Sequence, residues 1–167
     1  MVFNNMKRLI ILRHAKSSWD YPELSDYERP LNSRGNKDAE MMSLKLSERL
    51  DHIDSAILSS SKRTELTYEY FQNKINFKSE FFTDELYHAS SKKIISIIKD
   101  TNSDINSLMV LGHNPGLTEI VNLLTNHFLY NLPTTGIIII KFNINSWNKI
   151  SEKGDLEWIK FPKDYKL

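Results

Sequence analysis

The chain has 167 residues, with Lys+Arg 22 against Asp+Glu 21, five histidines and no cysteine. Its length suits a single domain (1–167) with a substantial core, and 40% hydrophobic with 26% charged residues is ordinary globular composition. A net charge of +1 gives no broad field for nucleic acid or an acidic membrane, and the absence of cysteine excludes thiolate nucleophiles, disulfide scaffolds and Cys-based zinc sites.

Apolar runs alternate with helix-like segments along the chain. Met6–His14 contains Leu9-Ile10-Ile11-Leu12, a continuous run that suits a strand buried on both faces. Arg34–Leu50 places Ala39, Met42, Leu46 and Leu50 at helical spacing. Ser55–Ser59 predicts a short strand and Lys62–Lys74 a helix. Ser91–Asp100 carries Ile94, Ile95, Ile97 and Ile98, and a polar turn, Thr101–Ser107, follows. Leu108–Leu111 is a second buried-strand run, and Leu117, Ile120, Val121 and Leu124 mark an amphipathic helix. Thr135–Phe142 and Leu156–Phe161 predict late strands, with Trp147 and Trp158 as packing residues beside them. The pattern predicts an α/β protein: a three-layer α/β/α sandwich with a mostly parallel sheet and a C-terminal antiparallel edge hairpin. Met1–Met6 lacks the apolar segment of a secretion signal, and Leu9–Leu12 and Ile137–Ile140 are too short to span a bilayer, so the expected location is the cytoplasm.

Two junctions carry chemistry. Leu9–Leu12 runs into Arg13-His14, and Leu108–Leu111 runs into Gly112-His113. Ligands of open α/β sheets bind beyond the carboxyl ends of strands, so two such histidines share one crevice if their strands are neighbours. Asn114 suits an N-cap and Pro115 a first helical turn, and a helix start favours anions. Ser59-Ser60-Ser61-Lys62-Arg63 repeats the arrangement, and the planar forks of Arg13 and Arg63 match phosphate oxygens. These residues describe a phosphate pocket containing a histidine. His52, His88 and His127 lie in polar contexts and read as solvent-exposed. No phosphate-loop, dinucleotide, H-E-x-x-H or G-x-S-x-G motif is present, and neither a metal nor a cofactor is expected.

Leu12-Arg13-His14-Ala15-Lys16-Ser17-Ser18-Trp19-Asp20 resembles the opening motif of the histidine phosphatase superfamily, the phosphoglycerate mutase-like proteins. Arg29-Pro30-Leu31-Asn32-Ser33-Arg34-Gly35, Ser59-Ser60-Ser61-Lys62-Arg63-Thr64 and Gly112-His113-Asn114 follow in the family's order. The resemblance spans about Leu9 to Phe142. Ala15, the Arg-Pro-Leu-x-x-Arg-Gly stretch and Gly-His-Asn-Pro-Gly are similar to the small SixA-like phosphohistidine phosphatases.

The resemblance implies that His14 is the nucleophile and is transiently phosphorylated. It implies that Arg13, Arg63 and His113, with Asn114, hold the phosphoryl oxygens. By the same resemblance Glu85 is the candidate proton donor, at the place where larger relatives carry a glutamate; an imidazole leaving group needs a strong acid less. Asp20 stands where mutase-type relatives have asparagine, so it is turned away, paired with a cation such as Lys16, or a proton carrier. Larger relatives insert a lid where this chain has only Glu80–Ser107, which predicts a shallow, open pocket. The implied activity is metal-independent dephosphorylation of a phosphohistidine protein. A phosphatase for small phosphomonoesters and a non-catalytic phosphate-binding module are the alternatives. Neither nucleic acid nor membrane is an expected partner, and the oligomeric state is not legible.

Overall fold

A computed structural model describes residues 6–151 and 153–166. Met1–Asn5, most of the segment considered above for a secretion signal, lies outside the described residues. The strands are β1 (Met6–Arg13), β2 (His52–Ser59), β3 (Asn76–Thr83), β4 (Ser107–Gly112), β5 (Ile137–Asn143) and β6 (Asp155–Lys160). The helices are α1 (Ser33–Ser47), α2 (Lys62–Gln72), α3 (Ser91–Lys99) and α4 (Gly116–Leu124). One sheet runs in the order β3-β2-β4-β1-β5-β6. Its first four strands are parallel, β5 is antiparallel to β1, and β6 pairs antiparallel with β5 at the edge.

The continuous apolar runs are explained by burial on both faces. Side chains alternate across a strand, so Leu9 and Ile11 join α3 and α4 in one core while Ile10 and Leu12 join α1 and α2 in the other. Leu108 and Val110, against Met109 and Leu111, divide β4 in the same way. Helices on both faces make the three-layer α/β/α sandwich that the alternation predicts. Trp147 is fully buried and Trp158 packs partly buried against the second core.

Three local differences have physical reasons. β3 is absent from the sequence reading because Asn76-Phe77-Lys78-Ser79-Glu80-Phe81-Phe82-Thr83 is a half-exposed edge strand without an apolar run. α1 starts at Ser33, where the Asn32 side chain accepts from the Gly35 amide at 2.8 Å, and ends at Ser47. α4 starts at Gly116, with Pro115 rather than Asn114 at its N-cap position and already in helical dihedrals. Asn114 reaches forward instead, its Oδ1 accepting from the Thr118 amide at 3.3 Å and hydroxyl at 2.9 Å.

The amino ends of the strands are tied by buried charge. Lys7 Nζ donates to the carbonyls of Ser103 and Ile105 and to Asn106 Oδ1. Asp54 Oδ2 accepts the backbone amides of Asn106 and Ser107 at 2.9 and 3.0 Å. This leaves the opposite, carboxyl end of the sheet for the conspicuous residues. Among the described residues no helix is long and apolar enough to cross a membrane.

Candidate active site

β1 and β4 are adjacent and in register, Arg13 beside Gly112, so the next residues on both strands emerge side by side. The His14 amide continues the ladder by donating to the Gly112 carbonyl at 3.2 Å. The His14 and His113 rings end 5.0 Å apart between centroids. On the other side of β4, β2 ends at Ser59 and α2 opens with Lys62-Arg63, delivering two hydroxyls and a guanidinium to the same place.

Hydrogen bonds fix the tautomer of His14. Its Nδ1 lies 2.7 Å from the Ala15 carbonyl, which only accepts, and Arg63 Nε, which only donates, lies 3.4 Å from its Nε2. Nδ1 therefore carries the proton and Nε2 carries a lone pair. Burial, followed by the neighbouring His113, Arg63 and Arg13, holds its pKa well below that of an ordinary imidazole, against an opposing contribution from the Ala15 carbonyl.

His113 has the opposite arrangement. Arg63 Nη2 donates to Nδ1 at 3.4 Å, so Nε2–H donates to Ser59 Oγ at 2.8 Å. Burial and then the Arg63 charge lower its pKa to about 3. Arg13 Nη1 donates to the Leu132 carbonyl at 2.8 Å, while its buried Nε has no partner among the described residues. Thr135, at φ 60°, shares its amide between the Arg13 and His14 carbonyls at 3.1 and 3.2 Å. That left-handed conformation costs energy in a β-branched residue, and here it steadies the strand end that bears the nucleophile candidate.

Further residues enclose Arg63: Arg29 stands in a motif quoted above, whereas Asp26 and Tyr87 carry no signal in the sequence. Asp26 accepts Arg63 Nη1 through its carbonyl at 2.6 Å and Nη2 through its carboxylate at 3.1 Å. The same carboxylate accepts Arg29 Nη1, Tyr87 Oη and His88 Nε2 at 2.9, 2.6 and 3.1 Å. Burial alone would raise the Asp26 pKa, but the hydrogen bonds from Tyr87 and His88 and the Arg63 charge outweigh it and hold it well below the carboxylate range. Buried Arg29 also donates to the Ser18 carbonyl and Ser17 Oγ, and stacks 3.4 Å from the exposed Trp19 ring.

The result is a half-open cleft of about 210 Å³, lined among others by Arg13, His14, Lys16, Arg63, His88 and His113. Two glycines bring its walls together. A Cβ on Gly35 would lie 2.1 Å from the Lys16 carbonyl oxygen, and one on Gly116 would lie 2.2 Å from that of Ala89.

The structure brings Arg13, His14, Arg63 and His113 together. Asn114 also lines the cleft, but its amide nitrogen donates to Asn131 Oδ1 and the Leu132 carbonyl at 3.0 and 2.9 Å. Glu85 does not line the cleft: its carboxylate pairs with Lys93 Nζ at 2.8 Å. Asp20 is exposed and also lies outside the lining. His88 is exposed as expected, yet one side of it faces the cleft, with its ring 5.2 Å from that of His113.

No family model matches the chain. An uncharacterized chloroplastic protein of Arabidopsis thaliana is 30% identical over 154 residues, covering 86% of this chain and 70% of the relative. A SixA-type protein of Agrobacterium tumefaciens has a solved structure that superposes with TM-score 0.78 at 25% identity, over 93% of this chain and 98% of that one. The protein histidine phosphatase SixA in complex with tungstate superposes with TM-score 0.80 at 23% identity, over 95% and 99% of the two chains. The ordered motifs, the strand-end histidines and these likenesses agree, and the chain belongs to the histidine phosphatase superfamily, in its small SixA-like branch.

Proposed function

We propose that this chain, acting as one catalytic domain, is a phosphatase that works through a phosphohistidine on His14 and takes its phosphoryl group from a phosphohistidine of another protein. The observation that carries this reading is the tautomer of His14, whose Nε2 lone pair lies among Arg13, Arg63 and His113. In the first step the Nε2–P bond forms as the bond from phosphorus to the leaving group breaks. In the second, water forms an O–P bond, Nε2–P breaks, and inorganic phosphate departs. Arg13 and Arg63 supply fixed positive charge for the equatorial oxygens, the main requirement of phosphoryl transfer. His113 binds a phosphoryl oxygen. Its neutral state follows from burial and the Arg63 charge, and an arriving dianion favours its protonation.

The small volume of the cleft supports the protein substrate. About 210 Å³ fits a phosphoryl group and little more, below the roughly 300–1,000 Å³ of sites that enclose a whole small ligand. The leaving group then lies outside, as a side chain presented by a partner would. We place the reaction in the cytoplasm.

The test is turnover of an aryl phosphate by the wild type and His14→Ala, with chelator present, followed by a phosphohistidine-bearing protein against a metabolite panel. Acid-labile, base-stable phosphate on His14 and no turnover by the variant are expected. Persistent activity in His14→Ala removes the nucleophile assignment, and faster turnover of a metabolite redirects the substrate to small phosphomonoesters.

A further inference from the structure

The proposed reaction needs a proton at the atom leaving phosphorus and a place to put one from the attacking water. The two carboxyls named for this from the sequence, Glu85 and Asp20, lie outside the cleft. Asp26 lies at its back, but its oxygens are taken by Arg29, Arg63, Tyr87 and His88. His14 supplies the nucleophile, and His113 Nε2–H is bound to Ser59. His88 is the remaining imidazole of the lining, and imidazole is the side chain that exchanges protons near neutrality.

Its setting suits that use. Nε2–H donates to Asp26 Oδ2 at 3.1 Å, which fixes the ring and leaves Nδ1 without a hydrogen-bond partner among the described residues. The ring packs 4.2 Å from Tyr87 and 5.2 Å from His113, and its side chain remains half-exposed, open to substrate and water. The backbone of His88 has φ 51°, a left-handed conformation that a non-glycine residue adopts at a cost and that recurs where a side chain must be aimed. Gly116 permits this by letting the neighbouring Ala89 carbonyl approach α4.

We propose that His88 is a catalytic residue of this site, acting as general acid and then general base, with Asp26 as its positioning residue. This rests on the phosphatase reading above. In the first step the His14 Nε2–P bond forms, the P–O or P–N bond to the leaving group breaks, and the Nδ1 proton of imidazolium His88 passes to the leaving atom. In the second, the water oxygen bonds to phosphorus, Nε2–P breaks, and the water proton returns to His88 Nδ1. The charged and titratable groups around His88 are Asp26, Tyr87, His113 and, through Asp26, Arg63 and Arg29, with the Glu85–Lys93 pair following in the same segment.

The experiment compares His88→Asn and His88→Gly with wild type on p-nitrophenyl phosphate, whose leaving group departs without a proton, and on phenyl phosphate, whose leaving group needs one. Asparagine tolerates the left-handed backbone and can still bond Asp26, yet carries no exchangeable acid proton. We expect kcat/KM for phenyl phosphate to fall about 100-fold in both variants, and for p-nitrophenyl phosphate to fall no more than about threefold. Added imidazole should restore phenyl phosphate turnover in His88→Gly. Equal losses on both substrates, or no loss, overturn the role of His88 while leaving the phosphatase reading intact. A wild type inactive on both substrates overturns that reading, and this proposal with it.

Discussion

Arg63 and Asp26 are joined twice, through the Asp26 carbonyl at 2.6 Å and its carboxylate at 3.1 Å, so a negative charge stands directly behind a cation that contacts the proposed nucleophile. The pairing leaves Arg63 Nε aimed at His14 Nε2. It also subtracts from the positive field that a phosphoryl group meets. Orientation and attraction are therefore opposed at this residue.

Replacing Asp26 separates the two. In Asp26→Asn the carbonyl contact persists while the charge is removed. Inorganic phosphate should inhibit several-fold more tightly, while kcat falls about tenfold as Arg63 and His88 lose their fixed positions. Inhibition constants and kcat measured on one aryl phosphate decide it. Weaker phosphate binding would show that the carboxylate contributes orientation alone.

Anion binding should take up protons. Burial and the Arg63 charge lower the His113 pKa to about 3, and burial also holds His14 below an ordinary imidazole. A bound dianion opposes the positive field and raises both values. Between the free and bound pKa values each binding event gains protons, so affinity weakens as pH rises through the bound pKa. Calorimetry with sulfate in two buffers of different ionisation enthalpy reads the uptake, which His113→Asn should reduce.

The far end of the sheet has its own pH dependence. Burial raises the Asp54 pKa, but Lys78 and the Asn106 and Ser107 amides outweigh it and bring it from 3.8 down to about 2. A depressed carboxylate pKa stabilises the fold above the unfolded value, and that contribution is lost as pH falls from about 4 to about 2. With Lys78 largely exposed and screened, Asp54→Asn should cost about 1–2 kcal/mol at neutral pH and little near pH 2. Urea melts at both pH values measure the difference.

Gly35→Ala tests how the first wall of the cleft is held. The added methyl would meet the Lys16 carbonyl oxygen at 2.1 Å, a backbone atom that also accepts the Asn32 amide at 3.0 Å. The segment Lys16–Ser18 must shift, at about 1–3 kcal/mol of stability. Because Lys16 and Ser17 line the cleft, kcat/KM should fall along with the melting temperature.

The sequence makes the inner strands plain because β1 and β4 are buried on both faces and so read as unbroken aliphatic runs. The site residues at the ends of those strands, His14 and His113, are legible for the same reason, and Arg63 through the strand-to-helix junction. Asp26 and His88 are not, because each owes its position to pairing between loops far apart in sequence. The Asp26–His88 contact spans 62 residues. Glu85 and His88 lie on one short turn, and the sequence does not show which of them is delivered to the cleft. In the structure Glu85 turns to Lys93 on α3, while His88 faces the cleft. β3, which carries the turn, is hidden by its own exposure, since polar residues occupy most of its open positions.

The location of β3 has one further consequence. Arg13, His14 and His113 stand at the ends of strands with neighbours on both sides and Arg63 opens α2, whereas Tyr87 and His88 follow a strand with β2 alone beside it. Edge strands open locally at lower free energy than the interior of a sheet. A fluctuation that releases β3 would withdraw the rim of the cleft and leave Arg13, His14 and His113 assembled, so the proposed phosphate site would outlast the proposed proton-handling wall.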